Sequence, residues 1–157
     1  MEKPLKLCLP GSGQLVRKAV WNIKDLKRAV AITFPAIGLP DVLYSSMRKL
    51  RGVDLIASND NSSKVLIGKA ARAQDLNAVK VTLFHNGQKV SGGVGSHAGD
   101  DQWKALQWVV NDVLAKGGEV KNGYIVLTGN LTGANRAKPG KYLADFGSFG
   151  QIEFECK

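Results

Sequence analysis

The stretch Lys89-Val90-Ser91-Gly92-Gly93-Val94-Gly95-Ser96 decides the fold, because of what stands on either side of it. Before it, Val79, Val81 and Leu83 alternate with Lys80, Thr82 and Phe84, the two-residue period of a strand with one face in the core. Asn86-Gly87 follows at once. Both residues tolerate positive φ, so the pair predicts a tight hairpin with a return strand over roughly Gln88 to Ser91. Gly92 to Ser96 then reads as a loop poor in side chains, and Asp100 or Asp101 as the cap of a helix. In that helix Trp103, Leu106, Val109 or Val110, and Val113 share one stripe, and Gly117-Gly118 stops it.

Working outward, Tyr124 to Thr128 reads as an apolar strand. Two more, around Tyr142 to Phe146 and Gln151 to Cys156, flank Gly147-Ser148-Phe149-Gly150. In the last strand Ile152, Phe154 and Cys156 share one face and Gln151, Glu153 and Glu155 the other. Toward the N-terminus, Leu5 to Leu9 reads as a strand closed by Pro10-Gly11-Ser12-Gly13. Ile23, Leu26, Val30 and Phe34 have helical spacing, with Asn22 as the N-cap and Pro35 ending the helix. Extended chain then runs to Asp41. Val53 to Ala57 is expected to be a buried strand, and Asn59 to Ser63 a polar loop. Strands with two good helices and no regular βαβ alternation predict an α+β domain.

At 157 residues and 44% hydrophobic composition, residues 1–157 are expected to form one domain with a real core. No apolar run approaches the roughly 20 residues of a membrane-spanning helix, and no signal-peptide pattern is visible, so a cytoplasmic location and no membrane partner are expected. The net charge of +9 is uneven: residues 1–80 hold 14 of the 22 Lys and Arg and 6 of the 13 Asp and Glu. A basic half attracts anions, but aromatics are only 7% and no nucleic-acid motif appears, so nucleic acid is not an expected partner. Cys8 and Cys156 read as small buried hydrophobes, with a bridge between the termini as the alternative.

The chemistry-bearing residues are sparse. Gly11-Ser12-Gly13 lacks the third glycine of a dinucleotide loop, since Val16 stands there, and reads as a turn. His85 is expected to be solvated beside the hairpin, whereas His97, after the glycine stretch, is the better site candidate. Asp100-Asp101 reads as cap and first-turn charge before it reads as a metal ligand.

Taken in order, the Lys89–Ser96 segment, the helix with Ala105-Leu106 and Trp108, and Gly123-Tyr124-Ile125-Val126-Leu127-Thr128-Gly129 change this picture. Pro139-Gly140 and Phe146-Gly147-Ser148-Phe149-Gly150 extend the series. Together they resemble the C-terminal half of 2-keto-4-pentenoate hydratases and 4-oxalocrotonate decarboxylases, of the fumarylacetoacetate hydrolase superfamily. Phe34-Pro35-Ala36-Ile37-Gly38-Leu39-Pro40-Asp41 is similar to the family's Pro-Ala-Ile-Glu segment, and Asn59 to Ser63 to its Asp-Asn-x-Ser-Ser loop. The likeness covers residues 20–157.

The resemblance implies a mixed, curved β-sheet core with flanking helices, fumarylacetoacetate hydrolase C-terminal-like. It also implies a shortened chain that acts on short 2-oxo acids by water addition, tautomerisation or decarboxylation. In the family a Mg²⁺ or Mn²⁺ ion held by glutamates stabilises the enolate. Here Gly38 replaces one of those acids. If the E-x-E element corresponds to Glu2-Lys3-Pro4, Pro4 replaces another, and the N-terminal region bearing the family's lysine is absent. Metal ligands are then sought among Glu2, Asp60, Asp100 and Asp101. The candidate substrate-binding set is Ser62, Ser63, Ser91, Gly93, Gly95, Ser96 and Thr128, with loop amides cradling a carboxylate. The alternative is that these glycines serve tight turns and close strand packing. Two functions follow: a lyase-like protein for a small 2-oxo acid, or a non-catalytic binding or assembly module. A homo-oligomer is expected on either view, because a shortened chain exposes core-facing surface.

Overall fold

Asn86 and Gly87 sit at φ values of 48° and 79°, the positive pair a two-residue hairpin turn requires. The computed structural model describes residues 5–8, 20–40, 51–58, 62–70, 75–121 and 123–157. Its strands are β1 (Leu5–Cys8), β2 (Ile32–Pro40), β3 (Ser62–Ile67), β4 (Lys80–His85), β5 (Gln88–Val94), β6 (Ile125–Leu127), β7 (Gly140–Asp145) and β8 (Gln151–Cys156). The helices are α1 (Ile23–Ala29), α2 (Gly52–Ala57) and α3 (Gln102–Ala115).

The described strands form two antiparallel sheets, ordered β3-β2-β1-β6 and β5-β4-β7-β8. In the second sheet the alternation is clean. Val81, Leu83, Tyr142, Ala144 and Ile152 are buried on its inner face, where Leu106 and Val110 of α3 join the same core. Ile37 of β2 and Leu26 of α1 complete that core from the first sheet's side. Fully burying each such aliphatic side chain contributes roughly 1.5–3 kcal/mol. This inner face is why the α3 stripe falls where the sequence predicts.

Helix α1 is capped as expected: the Asn22 carboxamide oxygen accepts the Asp25 N–H at 2.9 Å. Three hydrogen bonds tie the residue before that cap to α3. Trp21 N–H donates to Asn111 Oδ1 (2.7 Å), while Asn111 Nδ2 (3.0 Å) and Gln107 Nε2 (2.9 Å) donate to the Trp21 carbonyl. The end of α3 also follows expectation, with Gly117 at φ 77° and the Gly118 N–H donating to the Val113 carbonyl at 2.9 Å.

Four expectations are corrected. Helix α1 does not reach Phe34; it ends at Ala29, and Phe34 and Pro35 lie in β2. Val30 and Phe34 keep a four-residue spacing by coincidence, and Pro35 is tolerated because β2 changes partner there. Pairing with β1 runs from Ile32 to Pro35 and pairing with β3 starts at Ala36. Val53–Ala57 is helical, not a strand, and begins where the Asp54 carboxylate accepts the Arg51 N–H at 2.8 Å. Val53 and Ile56 are exposed, so the run is not a buried one. The return strand β5 runs on to Val94, so most of the expected glycine loop is ladder. Ser62 and Ser63 likewise open strand β3 instead of closing a loop.

Cys156 is a free, half-buried thiol packed against the core. Among the described residues no helix is long and apolar enough to cross a membrane. The Gly11-Ser12-Gly13 turn lies outside the described residues.

Candidate functional site

Strand β5 ends in a short 3-10 turn, Gly95–His97, and there the sequence-predicted residues meet. The Gly95 N–H donates to the Val79 carbonyl (2.8 Å) and the Ser96 N–H to the Asn77 carbonyl (3.0 Å). Asn77 is itself fixed by its N–H donating to Asp75 Oδ1 at 2.9 Å, and its Oδ1 accepts the Gln102 N–H at 2.8 Å. The Gln102 side chain, fully buried at the start of α3, donates through Nε2 to the Gly95 carbonyl. Its Oε1 accepts the hydroxyl of Thr128, which is also buried and lies one residue past β6. Gly95, Gln102 and Thr128 thus form one buried polar chain joining β5, α3 and β6. Buried polar groups paired this fully rigidify what they join.

The glycines have a steric purpose. A Cβ on Gly93 would lie 1.7 Å from the Leu131 carbonyl oxygen, and one on Gly95 would lie 1.9 Å from that of Leu76. Backbone segments press against both α-carbons, which only glycine permits. The 131–132 segment is held there by Ser91, whose hydroxyl donates to the Thr132 carbonyl at 3.1 Å. His97 Nδ1 lies 3.2 Å from the Leu131 carbonyl and so carries its proton on that nitrogen. Of the two readings of the glycine stretch, close packing accounts for Gly93 and Gly95. The amides of Gly95 and Ser96 already donate to carbonyls and are not open to cradle a carboxylate. The Ser96 hydroxyl makes no hydrogen bond among the described residues.

The other candidates lie apart or are occupied. Ser63 is exposed on β3 in the first sheet, and Ser62 pairs with Pro40. Gly38 stands in β2 opposite Val65 and offers no ligand. Asp100 is exposed at φ 64° beside Gly99, a turn position. Asp101 is the N-cap of α3 and accepts the N–H groups of Trp103 (2.7 Å) and Lys104 (3.2 Å). Burial opposes its ionisation, but the amides of Lys104 and Trp103, the Asn77 side chain and the Lys104 charge outweigh it. Together they hold its carboxyl below the usual value. Glu2, Pro4 and Asp60 lie outside the described residues.

A divalent ion such as Mg²⁺ needs several oxygen ligands in near-octahedral array. Among the described residues no three His, Cys, Asp or Glu side chains gather, and the nearby carboxylates are engaged, Asp101 as a helix cap and Asp75 by the Asn77 N–H. The described donor set does not fit the ion that the sequence resemblance implies.

Sequence reasoning missed Asn77 and Gln102. Both are ordinary polar residues in the sequence, and a glutamine in the first turn of a helix is usually solvated. His85, beside the hairpin, is partly exposed: its ring stacks on Tyr142 with centroids 4.5 Å apart while Nε2 lies 3.0 Å from the Pro139 carbonyl.

Among the open grooves of the described surface, two are lined by no predicted site residue. One, of about 680 Å³, runs over Phe84, Lys141, Leu143, Glu153 and Glu155 on the outer face of the second sheet. The other, of about 440 Å³, follows the exposed side of α3 at Lys104, Trp108 and Asn111.

No family model matches the sequence, and no curated protein does. Solved structures do match. The chain superposes on 4-oxalocrotonate decarboxylase from Pseudomonas putida G7 complexed with magnesium and adipate with a TM-score of 0.82 at 20% identity, covering 97% of this chain and 58% of that one. For the same enzyme complexed with calcium and acetate the TM-score is 0.78 at 20% identity, covering 97% and 57%. This chain therefore spans a little under three fifths of the length of the enzyme it matches. At this identity the likeness is one of fold: the chain carries the α+β fold of the fumarylacetoacetate hydrolase C-terminal type.

Proposed function

We propose that this chain is a hydratase- or lyase-like domain that receives a short 2-oxo acid. The observation that supports this most is the match of nearly its whole length to a 4-oxalocrotonate decarboxylase. That enzyme's structures contain magnesium or calcium with a carboxylate ligand, which supports a divalent ion and an acid as the pair to test. In this reading the open hydroxyl of Ser96 donates a hydrogen bond to the acid, and the His97 ring lies one residue on. The Gly95–Gln102–Thr128 chain fixes the turn that carries them. Donors for Mg²⁺ or Mn²⁺ would have to come in part from Glu2 or Asp60.

A second reading has its own support. Gly38 stands where the resemblance expects an acid, Asp101 is occupied as a cap, and the Gly95 and Ser96 amides are paired. These favour a non-catalytic binding or assembly module that keeps the fold.

One titration separates the two. Thermal melts are recorded with Mg²⁺ or Mn²⁺, with pyruvate or a 2-oxopentenoate, and with both. Saturation at a hundred times Kd adds about 2.7 kcal/mol, so the lyase-like reading expects a rise of several degrees when metal and oxo acid are both present. No shift under any of these conditions refutes it and leaves the module.

A further inference from the structure

We propose that the outer face of the second sheet is an isologous interface between two copies of this chain. The inference is independent of the lyase-like reading.

The face is built from residues that point away from the core. Directly paired residues of antiparallel strands put their side chains on the same side, so the pairings give the rows. Across β5-β4-β7-β8, one row reads Lys89, Phe84, Leu143, Glu153. The next reads Gly92, Thr82, Asp145, Gln151. The Lys89 side chain does lie over this face, since its Cε is 3.5 Å from where a Gly92 Cβ would stand. Helix α3 packs on the opposite, inner face, so neither row is covered by it. Phe84 and Leu143 are half-buried beside an open groove, and Lys89 and Glu153 are exposed. Neither Lys89 nor Glu153 takes part in an ion pair among the described residues.

The first row runs basic, apolar, apolar, acidic, and this order makes it complementary to itself in reverse. A two-fold axis parallel to the strands and lying between β4 and β7 sets β5 over β8 of the second copy and β4 over its β7. Lys89 then faces Glu153 of the second copy, twice by symmetry, and Phe84 faces Leu143. In the neighbouring row the Thr82 hydroxyl faces the Asp145 carboxylate. A two-fold contact must be self-complementary in this way.

Four strands about 4.8 Å apart and six residues of about 3.4 Å give a face of roughly 400 Å² in plan. Two such faces bury less than the roughly 1,200–2,000 Å² of standard stable interfaces. The dimer is therefore expected to be weak and to dissociate on dilution.

Sedimentation of the whole chain over a concentration series is the test. The wild-type protein should dimerise between about 10 µM and 1 mM. Lys89→Glu and Glu153→Lys, each placing like charges opposite one another twice, should each weaken dimerisation at least tenfold. An equimolar mixture of the two variants restores both pairs in a heterodimer and should associate like wild type, as should the double variant. Both positions are exposed, and unchanged circular dichroism and melting of dilute samples confirm folding. A wild-type monomer throughout the series overturns the proposal. So does a dimer indifferent to both reversals, or a mixture that fails to recover.

Discussion

Replacing Gly93 by alanine tests whether the glycines of β5 exist for packing. The new Cβ would sit 1.7 Å from the Leu131 carbonyl oxygen, and real Cβ atoms stay beyond 3.0 Å, so the two segments must part by at least 1.3 Å. Overpacking of this kind costs about 1–3 kcal/mol. Separation also stretches the Ser91 to Thr132 and His97 to Leu131 hydrogen bonds, each contributing about 0.5–1.5 kcal/mol. A loss of about 3 kcal/mol lowers the Tm of a chain this size by roughly 6–12 °C. The control is the adjacent residue. At Gly92 a Cβ would approach the Val81 carbonyl to only 3.3 Å, and alanine in a strand recovers about 0.5–1 kcal/mol of chain entropy. Gly92→Ala should therefore lie within about 1 kcal/mol of wild type. Urea denaturation and thermal melts followed by circular dichroism, on dilute protein, give both values. If Gly93→Ala melts within about 2 °C of wild type, or the two variants are equally damaged, the packing argument is wrong.

Other perturbations follow from the same geometry. Thr128→Val removes the hydroxyl that Gln102 accepts and should cost about 1–2 kcal/mol. Gln102→Leu should cost more, because it also withdraws a donor from the Gly95 carbonyl, and the double variant should show coupling in a mutant cycle. Asp101→Ala should cost about 1 kcal/mol at neutral pH through loss of the cap. Because the folded carboxyl titrates below its unfolded value of about 3.9, its contribution is complete above that pH and disappears as pH falls through the folded value. Melts between pH 3 and pH 7 should accordingly show wild type and Asp101→Ala converging in acid. Trp108→Ala, at a position 69% exposed, should change stability by less than about 0.5 kcal/mol; a larger loss would mean that the exposed side of α3 is covered.

The parts legible in the sequence were those where one local signal dominates. Asn86-Gly87 can do little except turn, the Trp103–Val113 stripe is long enough to show its period, and β8 alternates without exception. Two of the failures share a cause, a short apolar run whose state is decided by its neighbours. Val53–Ala57 is too brief to distinguish strand from helix, and the Asp54 carboxylate on the Arg51 amide tipped it. Phe34 continued a helical spacing that the pairing with β1 and β3 overrode. At the site, Gly93 and Gly95 stood out in the sequence but their purpose did not, because the carbonyls they touch belong to residues distant along the chain. Asn77 and Gln102 gave no sign at all, since nothing local distinguishes a polar side chain that will be buried.

The arrangement of the two sheets has a kinetic consequence. The second is assembled wholly from residues after 79, with β4 and β5 joined by a two-residue turn and β7 and β8 by a 3-10 turn. In the first sheet, Cys8 pairs with Ile125, 117 positions further on. Closing so long a loop is the slow part of β-sheet formation. During synthesis at roughly 5–20 residues per second, β1 can meet β2 early but must wait roughly 6–24 s for β6. The β1–β6 pairing is therefore expected to be the slow step in completing the first sheet, whereas the second sheet needs no loop of that length.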